Sequence, residues 1–94
     1  MNRSDLVATF AQRHNISKNR ANQLITLMFE EMQGALERGE GIEFRGFGSF
    51  FVKQYEGRSA KNPKSGEKVW MSTRKKVRFR PSKKLLSNLN DSLM

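Results

Sequence analysis

The sequence has no cysteine and a single histidine, His14. The lack of cysteine excludes disulfide bonds and zinc sites built from thiolates. His14 lies next to a predicted helix end, and neither paired carboxylates nor metal-ligand spacing accompany it in the sequence. We therefore expect a protein that is not an enzyme, with no catalytic residue, no metal and no cofactor.

Long hydrophobic runs are also missing. No apolar stretch approaches the roughly 18–20 residues that cross a membrane, and the opening MNRSDLVATF lacks the apolar segment of a signal peptide. Binding to a membrane surface favours a basic amphipathic helix, whereas the basic residues here fall mainly in a predicted β-ribbon. We expect a soluble cytoplasmic protein whose partner is neither a membrane nor a small-molecule substrate.

Acidic residues are scarce in the second half of the chain. The whole sequence has 18 Lys and Arg against 9 Asp and Glu, a net charge of +9. Residues 1–52 hold six of each sign, whereas Lys53–Lys84 holds twelve basic residues and two acidic ones. The positive charge therefore belongs to one segment, which is typical of a protein that binds nucleic acid or another polyanion.

Two amphipathic helices are predicted before Gly39. Asn2 and Ser17 are placed to cap them, and Gly39 is placed to end the second. The second helix has an apolar stripe too wide for one short partner helix. Because 94 residues at 36% hydrophobic content form only a modest core, we expect a second subunit to cover the stripe; a purely intramolecular core is the alternative. The helix residues expected in this dimer core are Leu24, Met28, Phe29 and Met32.

A short antiparallel sheet is predicted to follow. Ile42–Arg45 and Ser49–Lys53 flank a tight turn at Gly46–Gly48, and Lys76–Arg80 supplies a later strand. Alternation of apolar and polar residues gives this sheet one apolar face. The sheet residues expected in the core are Phe44, Phe47, Phe50 and Phe79.

Between these strands the chain indicates a long two-stranded ribbon with its tip at Lys61–Gly66. Pro63 at a tip loses no ladder hydrogen bond and forms a rigid apolar wedge. Since a lone ribbon is marginally stable in water, we expect an arm that is mobile until it meets its ligand. Trp70 is expected to brace the arm by pairing with Tyr55 or Phe51.

A short helix with a leucine stripe is predicted at the end, capped by Ser82. Lys83 and Lys84 fall in its first turn, where the helix dipole disfavours cations. Free amides and two ammonium groups there would form a seat for a phosphate. A merely solvated first turn is the alternative.

Four stretches of the sequence form a combined pattern along the chain. They are the two helices ending in LERGEGIE, then RGFGSF, KNPKSGE and FRPSKKL. They resemble the HU / integration host factor family of bacterial DNA-bending nucleoid proteins over essentially the whole chain. IEFRGFGSF and FRPSKKL look more like integration host factor, particularly its beta subunit, than like HU. The resemblance implies an α+β fold and an intertwined dimer of small subunits. Each subunit would have an N-terminal two-helix hairpin, a short antiparallel sheet that extends into a long β-ribbon arm, and a short C-terminal helix.

On this resemblance residues 1–94 form a single DNA-bending domain. Residues 1–40 would be the helical dimerisation body and residues 82–94 the C-terminal helix. Residues 41–53 and 76–81 would form the sheet, and residues 54–75 the β-ribbon arm.

The resemblance also implies that the protein bends double-stranded DNA by laying its arms in the minor groove, with Pro63 inserted between base pairs. Arg45 would enter the minor groove near the body, held in place by Glu43; an ordinary surface ion pair is the alternative. Arms of the family commonly read TGRNP, whereas this chain has Ala60 and Lys61 in place of Gly and Arg. The other residues implied in DNA binding are Lys53, Arg58, Lys61, Asn62, Lys64, Ser65, Gly66, Lys68, Arg74, Lys75, Lys76 and Arg78 on the arm, and Arg3, Gly46, Arg80, Lys83 and Lys84 on the body.

The partner subunit stays open between a homodimer and a heterodimer with an alpha-type subunit. The resemblance places the protein in the nucleoid, where it would organise DNA and act in recombination, replication and transcription complexes. An HU-like protein that compacts DNA without sequence preference is one alternative, and a basic protein that binds RNA or the ribosome is another. The RNA alternative is disfavoured because recognition of single-stranded RNA uses aromatic stacking platforms, and the arm has few aromatic residues.

Overall fold

The computed structural model describes residues 1–93, which fall into two compact units, residues 1–35 and residues 36 onward. The expected α+β fold of each chain is confirmed. The elements in chain order are α1 (Arg3–His14), α2 (Lys18–Glu37), β1 (Ile42–Phe44), β2 (Gly48–Tyr55), β3 (Arg58–Lys61), β4 (Lys68–Met71), β5 (Arg74–Pro81) and α3 (Lys83–Asn90), followed by a 3₁₀ turn (Asp91–Leu93).

Both N-terminal helices begin at the predicted caps. The Asn2 side chain accepts a hydrogen bond from the Asp5 amide at 2.9 Å, and the Asp5 carboxylate accepts one from the Asn2 amide at 3.1 Å. This reciprocal pair satisfies two amides that a helix start leaves without partners. Ser17 Oγ accepts from the Arg20 amide at 3.1 Å in the same way. The helix starts are therefore encoded by local polar residues.

The first unit, residues 1–35, which we call the helical unit, contains a small core. Val7 and Ala11 of α1 pack with Ala21 and Ile25 of α2, and these four residues are buried. The His14 ring lies against Phe10, with ring centroids 4.5 Å apart. His14 thus packs against Phe10 at the end of α1.

The end of α2 is fixed by a glycine and an ion pair. Gly39 has a φ of 79°, and its amide donates to the Leu36 carbonyl at 2.9 Å. Arg38 donates to Glu40 at 3.2 Å, and this hydrogen bond, together with the Arg38 charge, lowers the pKa of Glu40. The contribution of this exposed pair to stability is therefore present at neutral pH and is lost as the pH falls through the lowered pKa.

The strands form two antiparallel sheets. The main sheet has the order β1-β2-β5, and β2 pairs with β5 from Gly48↔Pro81 to Tyr55↔Arg74. The arm ladder pairs β3 with β4, beginning at Arg58↔Met71. Each side of the ribbon skips two residues between the ladders, so side chains continue to alternate in phase. The Gly57 amide donates to Thr73 Oγ1 at 2.9 Å, which bridges the gap.

One face of the main sheet is apolar, and we call it the apolar face. The Phe50 and Phe79 rings lie 4.8 Å apart, and Phe44 meets Phe50 edge-on at 6.4 Å. Phe79 also lies 5.4 Å from Phe47. From residue 36 onward, Gly48 is the only buried residue in the described part of the chain. The apolar face comprises Phe44, Phe50, Val52, Val77 and Phe79.

Gly48→Ala is expected to lower the free energy of unfolding by ~1–3 kcal/mol through overpacking. A Cβ atom on Gly48 would lie 2.5 Å from the Arg80 carbonyl oxygen and 2.7 Å from the Phe79 ring. Gly41→Ala is the matched control, since its Cβ would lie 3.7 Å from the nearest atom, the Phe50 carbonyl oxygen. Urea unfolding followed by circular dichroism at one chain concentration measures both variants. Equal midpoints for the two would contradict the close approach of β5 to Gly48.

Candidate nucleic-acid interface

The opposite face of the ribbon is basic, and we call it the cationic face. Lys53 lies directly opposite Lys76 in the β2–β5 ladder, and Lys61 lies directly opposite Lys68 in the arm ladder. Like charges in direct opposition destabilise a sheet, so an anionic ligand on this face would relieve a repulsion built into the fold. The cationic face comprises Lys53, Lys61, Lys68, Arg74, Lys76, Arg78 and Arg80.

Tyr55 holds the centre of the cationic face. The ammonium groups of Lys53 and Lys76 lie 5.5 and 5.4 Å from its ring centroid, and the Arg74 guanidinium lies 5.8 Å from it. Arg78 donates a hydrogen bond to the Tyr55 hydroxyl at 3.2 Å. The phenol ring attracts cations through its negative face. The ring and hydroxyl of Tyr55 therefore offset part of the repulsion among four positive groups.

A second aromatic ring lies on the same face. The Arg80 guanidinium lies 5.5 Å from the ring centroid of Phe51. Neither Phe51 nor Tyr55 was assigned a binding role from the sequence. Their place two and six residues along β2 from Ser49 was a usable signal, because alternate strand residues share a face.

Trp70 does not pair as the sequence indicated, and two of the predicted arm cations lie on the other side of the ribbon. Trp70 pairs with Ser59 and Tyr55 pairs with Arg74, so the expected pairing of Trp70 with Tyr55 or Phe51 was wrong. The register of β2 and β5 continues unchanged into the arm ladder, which places Trp70 further out along the arm than Tyr55. Arg58 and Lys75 fall on the side of the ribbon that bears the apolar face, by the alternation of both strands. They are therefore not part of the cationic face.

The arm ends in a compact turn around Pro63. The Asn62 side chain accepts from the Lys64 amide at 2.9 Å, and the Asn62 carbonyl accepts from the Gly66 amide at 2.8 Å. Ser65 Oγ accepts from the Glu67 amide at 3.3 Å. Gly66 has a φ of 74°, which lets the chain return into β4. Pro63 is exposed at this tip, as the sequence predicted.

The base of the sheet brings several predicted body residues together. Gly46 has a φ of 82° in a turn closed by a 2.9 Å hydrogen bond from the Phe47 amide to the Phe44 carbonyl, and Arg45 occupies its exposed corner. The Ser82 amide donates to the Phe47 carbonyl at 2.8 Å, so α3 starts beside this turn. A shallow pocket of about 210 Å³ is lined here by Glu43, Arg45, Gly46, Arg80 and Ser82, among others.

The first turn of α3 adds positive charge to this pocket. Ser82 Oγ accepts from the Leu85 amide at 3.0 Å, which confirms the predicted cap. The Lys84 side chain lies beside Gly46, because a Cβ atom built on Gly46 would lie 3.8 Å from the Lys84 Cδ. Lys83 is exposed in the same turn. The turn and the helix start therefore share one basic surface.

Two expectations about the body need correction or restriction. Across residues 1–93 the structure shows no ion pair between Glu43 and Arg45, since the two side chains stand beside a turn without meeting. Arg3 belongs to the helical unit, where its guanidinium donates to Asn22 Oδ1 at 3.1 Å and to Thr26 Oγ1. Arg3 is therefore held by α2, and the positioning of Arg45 by Glu43 on DNA stays a prediction.

The described residues contain no cluster of three His, Cys, Asp or Glu side chains that could hold a metal ion. No helix among residues 1–93 has the length and apolar character needed to cross a membrane. The surface that remains to be explained is the basic one.

Comparisons with known proteins show the family of this chain. The sequence profile of the family described as "Bacterial DNA-binding protein" matches residues 1–90. Integration host factor subunit alpha of Anaeromyxobacter sp. (strain Fw109-5) is 35% identical over 94 residues, covering 100% of this chain and 95% of that protein. The alpha subunit of Alteromonas mediterranea is 36% identical over 92 residues, covering 98% and 93%.

One solved structure is similar to this chain over nearly its whole length. HU in the Anabaena HU–DNA cocrystal structure is similar with a TM-score of 0.82 and 27% identity, covering 95% of this chain and 97% of that one. The two relatives above are named as alpha subunits, so they give no support to a beta-type chain. The chain belongs to the HU / integration host factor family of bacterial DNA-binding proteins, whose members are architectural proteins and not enzymes.

Proposed function

We propose that this protein is a dimer that bends double-stranded DNA, with both arms in the minor groove and Pro63 of each arm inserted between base pairs. The observation that carries the proposal is the separation of the ribbon into an apolar and a cationic face, with an exposed proline at its end. Such bending serves nucleoid organisation and the assembly of recombination, replication and transcription complexes.

The cationic face supplies the affinity. Lysine and arginine side chains neutralise phosphates and release the cations condensed on DNA, whatever the sequence. If a dimer neutralises roughly 8 phosphates, log K falls with log[salt] with a slope of about −7. The ring of Tyr55 assists, because it keeps Lys53, Lys76 and Arg74 close together before DNA arrives.

The tip supplies the wedge. Unstacking one base step costs a few kcal/mol and kinks the duplex by about 20–90°. A wedge must keep its shape when it separates two base pairs. Asn62, directly before Pro63, stabilises the turn by accepting two hydrogen bonds from amides that follow Pro63. Lys61, Lys64 and Lys68 surround the proline with positive charge that attracts the groove.

The base of the sheet receives the flanking DNA. Arg45 stands at the exposed corner of its turn, and Lys83 and Lys84 stand at the start of α3. Amides and cations at a helix start bind a phosphate. Arg45 inserts into the minor groove, where narrow A·T-rich segments concentrate negative potential. Sequence preference then comes from DNA deformability and from Arg45.

The apolar face supplies the reason for a dimer. Phe44, Phe79 and Val77 are 39, 42 and 55% exposed, and the described residues from 36 onward bury no apolar side chain. On α2, Leu27, Met28 and Phe29 are 59, 51 and 42% exposed. A second chain, identical or of the alpha type, covers these surfaces, because exposed apolar area of this extent marks an interface. The residues assigned to that interface are Leu24, Met28, Phe29, Met32, Phe44, Phe47, Phe50 and Phe79.

An HU-like protein without sequence preference is the second candidate. It is favoured by the missing Glu43–Arg45 pair, because an arginine without a bracing carboxylate is less fixed in the groove. The two candidates share the bending mechanism and differ in discrimination between sites, which the Arg45 prediction below measures.

Pro63→Ala is expected to reduce DNA bending by about 20° or more, because alanine is too small to hold a base step open. Pro63→Leu is expected to keep most of the bend, since leucine also acts as an apolar wedge. The bend is measured by fluorescence transfer between dyes at the two ends of a short duplex. Pro81→Ala is the control, because it removes the chain's other proline at the far end of the ribbon. An unchanged bend in Pro63→Ala would remove the wedge from the mechanism.

Arg45→Ala is expected to reduce discrimination between an A·T-rich site and random duplex by about fivefold, the equivalent of ~1 kcal/mol. Arg13→Ala removes the same charge from an exposed position in the helical unit and should leave the ratio unchanged. Competition binding at one salt concentration gives the ratio for each variant. Full discrimination in Arg45→Ala would return this side chain to a phosphate-binding role, whereas a lack of discrimination in the wild-type protein would favour the HU-like candidate.

A further inference from the structure

Trp70 is the only tryptophan of the chain and is 71% exposed on the arm. Its ring lies against the backbone of Gly57, where a Cβ atom would come within 2.8 Å of the Trp70 Cζ2. Gly57 is therefore required for this placement. The contact fixes one edge of the indole and leaves its surface open to solvent.

The rings on the cationic face differ in what covers them. Phe51 lies under Arg80, and Tyr55 is surrounded by Lys53, Arg74 and Lys76. Within the part of the chain that the structure describes, no cation or second ring lies against Trp70. Trp70 therefore has a free aromatic surface for a ligand.

The surroundings of Trp70 are positive. Trp70 pairs with Ser59, and the next pair on the same face is Lys61 opposite Lys68. On the other side, beyond the two-residue gap, comes Arg74 with Tyr55. An open aromatic surface between groups that bind phosphates is the arrangement that binds unpaired nucleotides, with the base on the ring and the backbone on the cations.

We propose that Trp70 stacks on an unpaired base of DNA, with Lys61 and Lys68 on the adjacent phosphates. This inference rests on the proposed function, because it requires the arm to lie along DNA. Bases within an intact duplex already stack on their neighbours and offer no free surface. Trp70 therefore adds a preference for DNA that has an unpaired base. This base would lie about 13 Å from the base step that Pro63 enters, because the Trp70–Ser59 pair is four strand residues from Pro63.

The test uses three DNAs of one sequence: an intact duplex, a nicked duplex, and the nicked duplex with a flap of unpaired adenines. The nick adds flexibility without an unpaired base, so it separates stacking from ease of bending. Wild-type protein should bind the flap DNA about 10-fold tighter than the nicked DNA, since a base on an aromatic ring strengthens binding by this order. The flap should also quench the emission of Trp70 more than the nick does.

Trp70→Ala is expected to bind the flap and nicked DNAs equally, with unchanged affinity for the intact duplex. Trp70→Phe should keep part of the preference. Val69→Ala, which removes a 41% exposed apolar side chain from the neighbouring position, should keep all of it. These results support stacking at Trp70.

Three outcomes would overturn the inference. A flap preference retained in Trp70→Ala would show that another group reads the base. An equal loss of affinity for all three DNAs would make Trp70 a general support of the arm, and a changed dimer mass with unchanged DNA preference would make it a protein contact. In each of these outcomes the wild-type protein still binds the intact duplex. If the wild-type protein did not bind the intact duplex, the proposed function would be overturned as well.

Discussion

An antiparallel ribbon places alternate residues on opposite faces, and in this chain that alternation separates most apolar from most cationic side chains of β2 and β5; Lys75 and Phe51 are the exceptions. The apolar face has no core of its own, since the described residues from 36 onward bury only Gly48. It needs another surface to cover it. Once it is covered, the cationic face is the one left for a ligand, so dimerisation and DNA binding depend on the same pattern.

The cationic face lowers the stability of the free ribbon and favours the binding of an anionic ligand. The opposed pairs Lys53–Lys76 and Lys61–Lys68 repel each other in the free protein. Tyr55 offsets part of the repulsion near the main sheet with its ring and hydroxyl. No aromatic ring plays this part for Lys61 and Lys68 in the described structure, and DNA phosphates would stabilise that pair most. The arm is thus the part of the chain that gains most from its ligand.

Much of the fold could be predicted because its signals are local. Asn2, Ser17 and Ser82 cap helices through their own side chains, and Gly39 and Gly46 adopt the positive φ that their turns require. The partner of Trp70 was not predictable, because it follows from the register of β2 and β5, which the arm ladder continues and which no local sequence motif sets. The Glu43–Arg45 pair was expected from family resemblance alone, and it is not formed in the chain without DNA. The roles of Tyr55 and Phe51 needed the register that the ladder provides.

Lysine modification followed by mass spectrometry tests the central claim most directly, because Lys75 and Lys76 are neighbours on opposite faces of the ribbon. The free protein and its complex with duplex DNA are treated with an acetylating reagent, and the modification rate of each lysine is compared. If the cationic face binds DNA, the duplex is expected to slow the modification of Lys76 and Lys53 several-fold and to leave the modification rate of Lys75 unchanged. Protection of Lys75 equal to or greater than that of Lys76 would contradict the assignment of the cationic face to DNA.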